Sequence, residues 1–175
     1  MPDVLTHVLV GYVVGSLIAA YREEMGPAGV TAVMAGALSP DFVKIKLLMS
    51  DAVIEMALGI PFSWAPLHAV SGAIVVALLS GLLVGREHRR LTIALVALGA
   101  ATHLLLDSLL VTPTGFAAQF LVPFSTYQTP AGMLYLSSDR WPAAVAGIAA
   151  ATVWAWRRYR RRRRAAATRD AAPRR

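Results

Sequence analysis

Residues 91–111, LTIALVALGAATHLLLDSLLV, decide the fold because they are long, apolar and interrupted by only two ionisable side chains. A helix rises about 1.5 Å per residue, so this stretch reaches about 30 Å, the thickness of the hydrocarbon core of a bilayer. The two ionisable residues, His103 and Asp107, are four positions apart and therefore share one helix face. The stretch predicts a membrane-spanning helix that carries a polar pair.

Other apolar segments of similar length lie on both sides of this stretch. They cover residues 4–20, 27–43, 66–85 and 141–156. The sequence therefore predicts an all-α integral membrane bundle of about five transmembrane helices. Residues 44–62 predict an amphipathic interfacial helix, and residues 112–140, rich in proline, glycine and threonine, predict an irregular outer cap.

The composition excludes several classes of protein. The chain of 175 residues is 57% hydrophobic and 15% charged, whereas about 25% of the residues of a soluble domain are charged. A simple soluble domain and a wholly disordered chain are both disfavoured. The absence of cysteine excludes disulfides, thiolate metal sites and cysteine nucleophiles. Any metal site must use histidine, aspartate, glutamate or water.

The net charge of +7 belongs to one end of the chain. Ten of the 17 lysines and arginines lie at or beyond Arg157, and the rest of the chain is slightly acidic. We predict a transmembrane domain over residues 1–156 and a basic, disordered cytoplasmic tail over residues 157–175. A polybasic segment directly after a span favours contact with anionic lipid headgroups, and nucleic acid is the less favoured partner.

Lysine and arginine in short loops predict the orientation of the bundle. A cytoplasmic turn at residues 86–90 and a cytoplasmic tail put the N-terminus outside and 14 basic residues inside. Three basic residues then lie outside: Lys44, Lys46 and Arg140. The predicted location is the cell membrane, with several passes.

Five ionisable residues of the apolar segments fall at similar depth near the outer surface in this topology. They are His7, Asp41, His68, His103 and Asp107. Imidazole nitrogens and carboxylate oxygens together are ligands of zinc, and manganese and iron are alternatives. Such a metal acidifies a bound water, and Asp41 or Asp107 is then a ligand or the general base. Asp3 is a further candidate partner of His7.

Each of these residues also has a structural interpretation. A single intramembrane histidine is commonly a hydrogen-bond donor between helices. Asp41 follows Ser39 and Pro40 and is in position to end a helix, and His103 with Asp107 can form a structural hydrogen-bonded pair. The site therefore rests on the convergence of all five residues.

Four stretches of the chain resemble the YdjM-like family of membrane-bound, metal-dependent hydrolases, over roughly residues 1–125. They are Thr6-His7 with Gly11, Leu38-Ser39-Pro40-Asp41, Leu67-His68-Ala69-Val70-Ser71, and Thr102-His103-Leu104-Leu105-Leu106-Asp107 followed by Thr112-Pro113-Thr114-Gly115. Among members of the family, the chain most resembles those of archaea. The resemblance implies a helical membrane protein related to zinc-dependent phospholipases C and nucleases, which hydrolyses phosphoester-like bonds.

The chain departs from the family pattern at two places. Phe42, Val43 and Lys44 stand where many members have a second aspartate and a histidine, and Ser63 stands where many have a histidine. These departures favour a single-metal site or an inactive relative over a multinuclear centre.

Three functions follow from these features. The first is a membrane-embedded hydrolase that uses one divalent metal, most simply zinc, on a phosphoester or lipid-like substrate. The second is a non-catalytic membrane scaffold or degenerate family member whose polar residues tie helices together. A transporter is least favoured, because the inner half of the bundle has no ionisable path and the chain has no inverted repeat.

Overall fold

The computed structural model describes residues 4–22 and 25–170, with side chains as far as Arg164. Six α-helices follow one another along this part of the chain. They are α1 Val4–Tyr21, α2 Pro27–Leu38, α3 Asp51–Leu58, α4 Val70–Leu82, α5 Arg89–Ser108 and α6 Trp141–Asp170. Two 3-10 segments, Ser39–Leu47 and Ala65–His68, precede α3 and α4. The described residues form no β-strand, only two isolated bridges, so the all-α prediction is confirmed.

Helix α2 is the centre of the bundle and packs against both α1 and α5. Helix α4 covers α5, and α6 packs along α1. The buried apolar residues between α1, α2 and α5 include Val30, Val33 and Leu95. The outward faces of α4 and α6 are apolar and exposed, as at Leu79, Leu82 and Ile148, which is typical of helices that face lipid.

Among the described residues, two helices are long and apolar enough to cross a membrane. They are α1 and α5, at 18 and 20 residues. Helix α4 is apolar but has 13 residues, and α2 has 12, so each spans only about 18–20 Å as an α-helix. A bundle of five spans is therefore not confirmed.

Prolines explain why the second and third predicted spans are shorter as α-helices. Pro40 lacks an amide proton, and the chain tightens into a 3-10 segment at Ser39. Pro66 lies in the 3-10 segment Ala65–His68, and α4 begins only at Val70. The predicted spans are apolar over their whole length, but only part of each one is α-helical.

The connecting segments match part of the prediction. Residues 44–62 contain the end of the first 3-10 segment and the short helix α3, which buries none of its residues. Exposed apolar side chains on and around α3 include Leu48, Met56 and Leu58. Residues 112–140 form the expected irregular loop, and Tyr135 is its most buried aromatic residue.

The basic segment differs from the prediction of a disordered tail. Helix α6 continues through Arg157 and ends at Asp170. Alanine and arginine both have high helix propensity, so the helix continues from the apolar segment into the arginines. Residues 171–175 lie outside the described part of the chain.

Candidate metal centre

Glycines allow α2 and α5 to approach until their backbones touch. A Cβ on Gly99 would overlap the carbonyl oxygen of Val33, and a Cβ on Gly36 would overlap that of Val96. Gly99, His103 and Asp107 follow one another at four-residue spacing, so they lie along one buried face of α5. The close approach therefore places His103 directly against the end of α2.

His103 is held by a backbone carbonyl of α2. Its Nδ1 lies 2.7 Å from the carbonyl oxygen of Ala37. A carbonyl can only accept a hydrogen bond, so Nδ1 carries the proton and donates it. In the neutral imidazole, Nε2 then carries a lone pair, and this nitrogen faces Asp107. Such an outer hydrogen bond is what orients metal-binding histidines in proteins.

His7 reaches the same place from α1. Its ring stacks on that of His103 with centroids 3.6 Å apart and planes 14° apart. Both side chains are completely buried. Gly11 and Gly15 continue the buried face of α1 one and two turns further on. As on α5, a histidine and a glycine four residues away share the face that meets α2.

His68 approaches from the second 3-10 segment. Its Nδ1 lies 3.3 Å from the carbonyl oxygen of Pro40, and its Nε2 lies 2.7 Å from Oδ2 of Asp107. His68 and His103 are thus held in the same way, with the outer nitrogen donating to a backbone carbonyl near the end of α2. The side chain of His68 is 15% exposed and is the accessible member of the cluster.

Three imidazoles therefore surround one carboxylate. Besides the contact from His68, Nε2 of His7 lies 3.5 Å from Oδ1 of Asp107 and Nε2 of His103 lies 3.5 Å from Oδ2. Ligand atoms on one tetrahedral zinc ion are about 3.4 Å apart. One ligand atom each from His7, His103 and Asp107 lie within 4.8 Å of one another, so these three could hold a metal ion.

The cluster leaves several buried polar atoms without hydrogen bonds among the described residues. These atoms are both ring nitrogens of His7, Nε2 of His103 and Oδ1 of Asp107, whereas Oδ2 of Asp107 has Nε2 of His68 at 2.7 Å. Leaving such atoms unsatisfied costs about 1–3 kcal/mol each. Protonating both stacked imidazoles would place two positive charges face to face. A divalent cation would take one nitrogen from each histidine together with a carboxylate oxygen, so the donor set fits a metal.

Asp41 lies beside this group and has a different partner. It is buried in the first 3-10 segment, and its Oδ1 forms an ion pair with Nζ of Lys44 at 2.9 Å. It is close enough to His7 for the two to interact electrostatically. The structure thus brings His7, His68, His103 and Asp107 into contact and places Asp41 at their edge. Asp3 lies outside the described residues.

Sequence reasoning missed the groups that orient the cluster. The carbonyls of Ala37 and Pro40 carry no signal in the side-chain pattern, whereas Lys44, three residues after Asp41, could have been found from its spacing. Tyr135 was also missed. Its hydroxyl donates to the carbonyl of Leu106 at 2.6 Å. Burial and the nearby charge of Asp107 raise the pKa of Tyr135 to about 12.

A cleft of about 320 Å³ opens onto His68. Its walls come from both 3-10 segments and from the loop after α5, and its lining includes Lys46, His68 and Gln119. The cleft gives a polar molecule access to the exposed side of the cluster. A basic side chain in the lining of the cleft favours an anionic molecule.

The helices and the buried cluster define an all-helical membrane protein with a candidate His/Asp metal centre. The profile of the YdjM inner membrane protein family matches residues 1–169. The chain belongs to this family. No curated protein and no solved structure matches the chain.

Proposed function

We propose that the chain is a membrane-embedded, metal-dependent hydrolase of phosphoester or lipid-like substrates. The observation that carries the proposal is the convergence of His7, His103 and Asp107 below an open cleft, with buried imidazole nitrogens and a carboxylate oxygen that have no hydrogen-bond partner among the described residues. A purely structural hydrogen-bonded cluster would satisfy these atoms within the protein.

His7, His103 and Asp107 would hold the ion, with His68 as a fourth ligand on the cleft side. The two-nitrogen, one-oxygen core suits Zn²⁺, and Mn²⁺ or Fe²⁺ are the alternatives. When bound, the ion would polarise a phosphoryl oxygen and activate a water molecule. The carbonyls of Ala37 and Pro40 keep the histidine Nε2 atoms directed inward.

Asp41 is the candidate general base. It is a buried carboxylate beside the cluster, and its ion pair with Lys44 orients it. A base must accept a proton from the attacking water, and a carboxylate that does not ligate the metal is free to do so. Lys46 at the cleft is positioned to attract an anionic phosphoester.

The membrane arrangement that accompanies this function has five spans, with the N-terminus outside and the C-terminus cytoplasmic. The His/Asp cluster and the arginines of α6 lie at opposite ends of α1, which supports a bundle with a polar outer end and a basic inner end. The basic segment then faces anionic lipid headgroups.

Metal analysis of the purified protein tests the proposal. We expect about one zinc, manganese or iron ion per chain, and a thermal unfolding temperature that falls when a chelator removes it, because an ion bound only to the folded state stabilises it. Absence of a stoichiometric metal together with no effect of chelator or added metal on unfolding would overturn the proposal.

A scaffold without catalysis is the second candidate. The bond from His103 to Ala37 joins α5 to α2 and favours a structural role. For a scaffold, His103→Ala lowers the stability and no phosphoesterase activity exists to lose. For the hydrolase, Asp41→Asn abolishes cleavage of p-nitrophenyl phosphoesters while the metal content is retained.

A further inference from the structure

A second polar cavity lies at the end of the bundle away from the metal centre. Its volume is about 230 Å³, and we call it the arginine cavity. Four arginines of α6 form one wall, and the end of α1 with the start of α2 forms the other. The lining residues are Ala19, Ala20, Met25, Gly26, Pro27, Arg157, Arg160, Arg161 and Arg164.

The arginine cavity is separate from the metal centre. Arg157 Nη1 donates to the hydroxyl of Ser16 at 2.9 Å, and the side chain of Ser16 is fully buried in α1. Ser16 is nine residues beyond His7 on the same helix, which corresponds to about 14 Å. The contact with Ser16 also fixes the wall of the cavity against α1.

The four arginines share one helix face because they are spaced at three and four residues. Arg157 bonds to a neutral hydroxyl, and Arg160 lies over the ring of Trp156 with its guanidinium carbon 5.0 Å from the centroid. Within the described residues, no carboxylate pairs with Arg157, Arg160 or Arg161. Several positive charges therefore face one concave space.

The other wall adds further preference for an anion. Helix α2 begins at Pro27 on the rim of the cavity, and its Gly26 N-cap supplies no side-chain acceptor. Pro27 has no amide proton and the amide of Gly29 donates to the carbonyl of Gly26, so this wall contributes the positive end of the helix dipole. The guanidinium groups supply planar, paired donors that match the oxygens of a phosphate.

The surroundings place this anion at a membrane surface. Just before the arginines, α6 is apolar and carries Trp154 and Trp156, residues typical of the bilayer interface. An adjoining cavity of about 370 Å³ is lined by Tyr12 and Trp154 together with arginines. Aromatic rings beside guanidinium groups match the boundary between the acyl chains and the headgroup of a phospholipid.

We propose that the arginine cavity binds the phosphate of one anionic phospholipid headgroup. The ligand differs from the diffuse layer of anionic lipid that any polybasic segment attracts, because it occupies a defined space between α1, α2 and α6. The proposal does not depend on the hydrolase function, since it uses none of the metal-centre residues. A bound lipid would tie the basic part of α6 to the α1–α2 turn.

Two matched substitutions distinguish a defined site from diffuse attraction. Arg160→Gln removes a charge that lines the arginine cavity, and Arg163→Gln removes a neighbouring charge that lines neither cavity. Each of these two arginines lies over an aromatic ring of α6. Binding of phosphatidylglycerol and phosphatidylcholine to the full chain in detergent is measured by native mass spectrometry. We expect the wild type to retain one phosphatidylglycerol, Arg160→Gln to weaken its binding at least tenfold and Arg163→Gln to weaken it less than threefold.

Equal losses in the two variants, or equal binding of phosphatidylcholine, would overturn the proposal. A further measurement with millimolar inorganic phosphate distinguishes a lipid headgroup from free phosphate. If the lipid is retained, the headgroup is the ligand. If phosphate displaces the lipid, the cavity is a site for the free ion and the lipid proposal is overturned. Circular dichroism and the metal content of each variant check that the bundle is folded.

Discussion

Asp107 is the residue on which the candidate metal centre depends, because three histidines meet at its carboxylate. Its spacing from His103 predicts that the two share a helix face, and the structure adds His7 and His68 from other elements. The similar depth of these residues in the predicted topology predicts that they lie close together. The sequence does not reveal the carbonyls of Ala37 and Pro40, because backbone groups look alike in every sequence.

Substituting Asp107 with asparagine should remove the metal. The change keeps the shape of the side chain but deletes the negative charge that compensates a divalent ion, so we expect the metal affinity to fall at least about 100-fold, beyond the loss usual for residues that only support a ligand. Zinc content after dialysis measures the effect. Glu87→Gln, on the exposed turn before α5, is the control and should keep the metal of the wild type.

Lys44 should stabilise the fold through Asp41. Lys44→Met leaves the Asp41 carboxylate buried without its cation, and we expect the free energy of unfolding in detergent to fall by about 1–3 kcal/mol. Lys46→Met is the control, because Lys46 is exposed in the same segment and has no ion pair among the described residues. Equal stabilities of the two variants would contradict a role for the ion pair.

At the scale of elements, glycine positions decide how closely the helices approach. The faces Gly99-His103-Asp107 on α5 and His7-Gly11-Gly15 on α1 are buried in full. Small residues at four-residue spacing are typical of helix contacts in membranes. The sequence shows these spacings, but only the structure shows that α2 is the common partner of both faces.

A methyl group at Gly99 should separate α2 from α5. Gly99→Ala places a Cβ against the backbone of Val33, and overpacking of this kind costs about 1–3 kcal/mol. Gly147→Ala is the matched control on α6, where a Cβ meets nothing within 4 Å, and its higher helix propensity should leave stability equal or slightly greater. Thermal unfolding in detergent measures both variants. A neutral Gly99→Ala would show that the close approach is not required.

The lengths of α2 and α4 show where sequence reasoning on elements fails. Hydropathy detects apolar composition, but it does not detect the point at which an α-helix ends. Pro40 and Pro66 lie where the chain changes to 3-10 geometry. These same irregular segments carry Asp41 and His68, so the departures from helix are what bring two of the predicted site residues to the cluster.

At the scale of the whole molecule, charge and polar chemistry lie at opposite ends of the bundle. The His/Asp cluster is at the start of α1 and the end of α5, and the arginine cavity is at the end of α1 and the start of α2. This polarity supports the predicted orientation, with the basic end in the cytoplasm. It also explains how a net charge of +7 coexists with a slightly acidic body.

Introduced cysteines should report the orientation, since the chain has none of its own. Thr114→Cys and Glu87→Cys place single thiols at exposed positions after and before α5. We expect a membrane-impermeant maleimide to label Thr114→Cys in intact cells or spheroplasts and to label Glu87→Cys only after the membrane is broken. The reverse labelling would show that the cytoplasmic and outer ends are exchanged.

The sequence by itself determined the all-helical class, the membrane location of the apolar segments and the few ionisable residues that such a setting makes costly. These properties depend on composition and on spacing along one helix, which are local. The tertiary structure decided which atoms of those residues meet, that Asp41 pairs with Lys44 and that four arginines face one cavity. Contacts between elements distant in the chain depend on how closely helices pack and where prolines end them, and no local pattern contains that information.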